Sequence, residues 1–120
     1  MSINLDDLSE EQRKKIMNLN NLQQSFEVIM SQRLQIESTM RDTDLAIEEL
    51  EKINSEDIVY KAIGGILVKS EKNKLLDEKK SLKVTLEMRL KTLKQKEERV
   101  RNQIETMRKS FEADFQAQGQ

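Results

Sequence analysis

Side-chain catalysis needs groups that shuttle protons, attack as nucleophiles or hold a metal, and this chain of 120 residues offers few. It has no histidine and no cysteine, so the imidazole base, the thiolate nucleophile and the usual zinc ligands are all missing. Carboxylates are plentiful, but pairs such as Glu48-Glu49 and Glu97-Glu98 are consecutive, and consecutive side chains on a helix diverge by about 100°. They read as solvated. Gly64-Gly65 lacks the lysine and the flanking pattern of a phosphate-binding loop. No catalytic, metal or cofactor site is expected, and the chemistry that remains is recognition by apolar surface.

Two groups of residues could supply that surface. Near the chain ends stand Leu8, Ile16, Met17 and Leu19, and then Met107, Phe111 and Phe115. Methionine thioethers and fraying helix ends adapt to dissimilar partners, which suits promiscuous binding. In the middle, Val59, Tyr60 and Ile63 precede Gly64-Gly65, and Ile66, Leu67 and Val68 follow it. β-Branched runs on either side of a two-residue Gly-Gly loop are the signature of a tight hairpin with a primed turn. A glycine kink in one continuous helix is the bland alternative, but Ile58 to Val68 lacks a 3.6-residue period.

The elements that must hold these residues are long helices. Charged residues make up 36% of the chain and aromatics 3%, with no proline or tryptophan, too little apolar material for a thick core. Ser9-Glu10-Glu11-Gln12 has the form of a capping box that would open a helix. Beyond it a heptad seam runs through Leu19, Leu22, Phe26, Ile29, Arg33, Ile36, Met40, Thr43, Ile47 and Leu50. A second seam runs through Leu76, Lys79, Lys83, Leu86, Leu90, Leu93, Glu97, Val100, Ile104, Met107, Phe111 and Asp114. The boundaries expected are a tail over 1–8, helix over 9–54, hairpin over 55–70, helix over 71–115 and a tail over 116–120, all in a single domain. Each helix would span about 65–70 Å, which implies a rod.

A central turn makes the helices antiparallel, and the seams fall into register when Leu50 faces Leu76, Met40 faces Leu86, Phe26 faces Val100 and Leu22 faces Ile104. Thr43 then shares a layer with Lys83. Toward the ends the apolar pairing lapses, with Phe111 opposite Lys15 and Phe115 opposite Glu11. The hairpin could fold back onto its own helices. Alternatively, hairpins from several chains could join into a larger sheet or barrel that removes open edges. A two-helix rod offers little surface to cover a sheet, so assembly is the expectation. The fold class is thus mainly α: a long antiparallel two-helix coiled coil with one central β-hairpin that joins an oligomeric sheet or β-barrel, the barrel being what a family resemblance implies.

With 21 basic and 22 acidic residues the net charge is −1, no footprint for nucleic acid. No apolar stretch approaches a membrane span and no secretory leader is visible, so a cytoplasmic protein is expected.

These residues resemble a known family. Val59-Tyr60-Lys61, Gly64 and Ile66-Leu67-Val68-Lys69 in the hairpin are similar to the β-type subunits of prefoldin. So are Thr85 to Leu93 and Gln95 to Val100 in the second helix, and more weakly Leu22-Gln23-Gln24 in the first. The resemblance implies an ATP-independent chaperone subunit in a hexamer of two α-type and four β-type chains. It further implies that the complex binds unfolded client proteins at the coiled-coil tips and delivers them to a group II chaperonin. A structural scaffold or tether that docks one fixed partner would share the fold and differ in selectivity.

Overall fold

A computed structural model describes residues 8–118 of the chain. Its elements are α1 (Glu10–Lys52), β1 (Val59–Ile63), β2 (Ile66–Ser70) and α2 (Lys72–Gln118). They are arranged as the heptads and the Gly-Gly punctuation require. Of the expected tails, 1–7 and 119–120 lie outside the described residues.

The start of α1 follows from its capping box. The Ser9 amide donates to Gln12 Oε1 at 3.0 Å and the Gln12 amide donates to Ser9 Oγ at 3.1 Å, so two amides without intrahelical acceptors are satisfied reciprocally. Ser9 is therefore the cap and Glu10 the first helical residue. At the other end, Asn54 and Asp57 close a turn. The Asn54 amide donates to Asp57 Oδ2 at 2.8 Å and the Asp57 amide to the Asn54 carbonyl at 3.0 Å. The Lys72 ammonium donates to the Ile53 carbonyl at 2.6 Å, placing a cation where α1 leaves carbonyls unpaired. α2 continues to Gln118, past the end expected at Phe115, because no breaker precedes Gly119.

Contact density divides the chain into a central unit, Arg33–Thr92, and a terminal unit that combines the residues up to Gln32 with those from Leu93 onward. In the central unit the two helices run antiparallel. Lys83 Nζ meets Asp44 Oδ1 at 2.8 Å, and Lys80 Nζ lies 3.8 Å from Glu51 Oε1. Leu75 and Leu86 are buried, and so is Thr43. Thr43 remains satisfied because its hydroxyl donates to the Thr39 carbonyl one turn back, at 2.8 Å. Lys83, at the same level of the seam, bends its ammonium out to Asp44, which raises the lysine pKa through the hydrogen bond and the charge of its partner.

The terminal unit has the same antiparallel pairing. The Arg101 guanidinium lies 5.6 Å from the centre of the Phe26 ring and 3.6 Å from Glu97 Oε1, a cation–π contact that covers the edge of the seam. The Lys83–Asp44 and Arg101–Phe26 contacts agree with the register that faces Phe26 to Val100 and Met40 to Leu86. A shift of one heptad would separate these partners by about 10 Å. Every seam position from Leu19 to Leu50 and from Leu76 to Asp114 is buried or half-buried. None of the described side chains, however, is completely sealed from water.

Candidate interaction surfaces

The hairpin is built around its turn. Gly64 and Gly65 both have positive φ, 53° and 83°, the combination of a type I′ turn, which matches the twist of the strands it joins. Of the two primed turns compatible with the sequence, this is the one formed. The strands pair antiparallel, with Ile63 opposite Ile66, Lys61 opposite Val68 and Val59 opposite Ser70. Alternation puts Val59, Lys61, Ile63, Ile66 and Val68 on one face and Tyr60, Ala62, Leu67 and Lys69 on the other.

The hairpin does not fold back onto the helices. Tyr60, Ile63, Ile66, Leu67 and Val68 are all exposed, Leu67 by 71%, and only Val59 among the expected assembly residues is half-buried. One polar tie links the hairpin to α2, from Lys61 Nζ to Glu78 Oε2 at 2.8 Å. That hydrogen bond holds the Glu78 carboxyl below its ordinary pKa, helped by the positive charges of Lys61, Lys74 and Lys79. Both faces and both outer edges of the two-stranded sheet are thus open. Ile58, just ahead of β1, is equally exposed. It extends the patch beyond the residues singled out from sequence, although it belongs to the same apolar run.

The residues expected at the helix ends have mixed fates. Phe111 and Phe115 stack along one face of α2 with ring centres 6.0 Å apart and planes tilted by 33°, Phe111 half-buried and Phe115 39% exposed. Lys15 joins this level of the terminal unit through an ion pair to Asp114 and a 3.3 Å hydrogen bond to Ser110 Oγ. The hydrogen bond to Asp114 raises the Lys15 pKa. Met17 is exposed, whereas Ile16, Leu19 and Met107 are half-buried. Leu8 is buried, so it supports the terminal unit instead of facing solvent. A residue ahead of a capping box carries no periodicity from which that could be read.

A pair of long antiparallel helices joined by an exposed β-hairpin defines a class of helical-hairpin subunits. A solved structure with this architecture is the prefoldin β subunit from Thermococcus strain KS-1, which matches with a TM-score of 0.80 over 90% of this chain and 95% of its own, at 22% identity. The family model described as "Prefoldin subunit" matches residues 13–118. The prefoldin subunit β of Archaeoglobus fulgidus is 43% identical over 95 residues, covering 78% of this chain and 82% of that protein. That of Pyrococcus furiosus is 30% identical, over 79% and 81% respectively. The chain belongs to the prefoldin family, as a β-type subunit. This is a family of chaperone subunits and not of known enzymes. No helix among the described residues is long and apolar enough to cross a membrane.

Proposed function

We propose that the chain is one subunit of an ATP-independent, cytoplasmic chaperone that holds non-native polypeptides and passes them to a group II chaperonin. In this reading the hairpin residues Val59 to Val68 join those of other subunits, two α-type and four β-type chains in all, in a closed β structure. The helix ends hold the client through Phe111 and Phe115, with Met17, Ile16, Leu19 and Met107 beside them. The supporting observation is the run of exposed apolar residues in the hairpin, Tyr60, Ile63, Ile66, Leu67 and Val68, with Met17 and Phe115 exposed toward the helix ends; Val28, Leu34, Leu45, Val84 and Met88 are exposed along the helices as well. Apolar patches of that kind on an otherwise charged surface mark places of interaction.

The test is to mix the chain with an α-type partner and follow light scattering from several unrelated denatured proteins without nucleotide. Suppression of aggregation across the set supports the chaperone, and protection of one protein alone would identify a tether. Phe111→Ser combined with Phe115→Ser should leave assembly intact and weaken protection. Undiminished protection by that variant would move client contact to Ile16 and Met17.

A further inference from the structure

On one flank of the terminal unit the two helices leave an open groove of about 680 Å³, within the size range of ligand-binding clefts. Leu22 and Met107, both half-buried, give it an apolar floor. Its walls carry the amides of Asn18, Asn21, Asn102 and Gln103. A second groove of about 600 Å³ shares Asn21 and Ser25 with the first and adds Lys96. Three properties bear on what this flank could hold.

No carboxylate lines either groove, although the chain has 22 acidic residues. The two cations present, Lys96 and Arg99, form no ion pair among the described residues and so remain available to an acidic partner. The four wall amides likewise make no side-chain hydrogen bond among the described residues. Each carries both donors and an acceptor, the complement of an extended peptide backbone.

We infer that this flank docks an extended, acidic tail of a partner protein. Its carboxylates would meet Lys96 and Arg99, its backbone the wall amides, and an apolar side chain would rest on Leu22 and Met107. Charge selectivity separates this role from client holding, since unpaired cations discriminate among segments where an apolar surface tolerates all of them. Nucleic acid is the less fitting occupant. Two cations supply little counterion release, and neither groove is lined by an aromatic ring on which a base could stack.

The probe is a fluorescent peptide alternating Glu with Leu, titrated onto the assembled protein and compared with its Gln-for-Glu counterpart. The acidic peptide should bind more tightly, lose affinity as salt rises, and shift the NMR signals of the Asn18, Asn21, Asn102 and Gln103 side-chain amides. Lys96→Gln with Arg99→Gln should weaken it about tenfold, as expected for two exposed charge pairs, with helix content and client protection unchanged. Equal binding of the neutral peptide or an unchanged affinity in the double variant would overturn the inference. So would an oligonucleotide that binds more tightly than the peptide. Loss of helix in the double variant would also count against it, since the inference requires both side chains to be free of structural duty.

Discussion

Leu67 separates folding from assembly more sharply than any other residue. It is 71% exposed, opposite Ala62 on the face of the sheet that also carries Tyr60 and Lys69. Replacing it by alanine removes three carbons. At about 0.8 kcal/mol for each buried carbon they are worth roughly 2.4 kcal/mol when fully buried. Because 71% of the residue is still in water in the single chain, most of that, about 1.5–2 kcal/mol per copy, remains to be gained when a partner covers it. Leu67→Ala should therefore leave the helix unfolding transition of the isolated chain within about 0.5 kcal/mol of the parent. It should weaken association with an α-type subunit at least tenfold per site. Circular dichroism melts at fixed concentration give the first quantity and sedimentation velocity across a dilution series gives the second. Leu67→Thr, which keeps a strong strand former, controls for strand propensity. If association is unchanged, or if the isolated chain loses as much stability as the complex, the hairpin is not the assembly surface.

The opposite behaviour is expected of Leu86, which is buried in the central seam: Leu86→Ala should cost about 2–3 kcal/mol in urea unfolding of the chain, since neighbouring side chains can partly fill the space. Cysteines placed at Met40 and Leu86, in a chain with no native thiol, should cross-link under mild oxidation, whereas a pair at Ile47 and Leu86 should not; the reverse would shift the register by one heptad. Acid should loosen the hairpin from α2. Glu78 has its carboxyl pKa lowered from 4.5, so its tie to Lys61 contributes above that value and is lost as pH falls through the lowered one. Amide exchange in β1 should quicken relative to Glu78→Gln as pH falls below 4.5 and through the lowered pKa, and equal acid sensitivity in both proteins would remove Glu78 as the cause.

Periodicity carried most of the fold because it reports which face of an element turns from water. The seam from Leu19 to Leu50 and its partner from Leu76 to Asp114 follow directly from it, and so does the turn, because only glycine readily accepts two successive positive φ angles. What periodicity does not report is where a long side chain ends. Lys83 occupies a seam position, yet its charge lies outside with Asp44. Lys15, opposite Phe111 in the register, spans to Asp114 and Ser110. The amide-lined flank was invisible for a related reason. Asn18, Asn21 and Asn102 sit at ordinary solvent positions of a heptad, and their convergence depends on both helices at once. Leu8 lies ahead of the first period, where nothing in the pattern distinguishes a buried leucine from an exposed one.

The thinness of the seam has a calorimetric consequence. The chain leaves 9352 Å² accessible to water, where an ordinary monomer of 14.1 kDa leaves about 6,700 Å². Correspondingly less apolar surface is hydrated anew when the helices come apart. The heat-capacity increment of unfolding, normally about 12–15 cal/mol/K per residue, should then be smaller, because exposed apolar area is its main positive contribution. A small increment flattens the dependence of stability on temperature. Helices joined by so narrow a contact gain little from cooling, and for the same reason lose little over a wide range of heating.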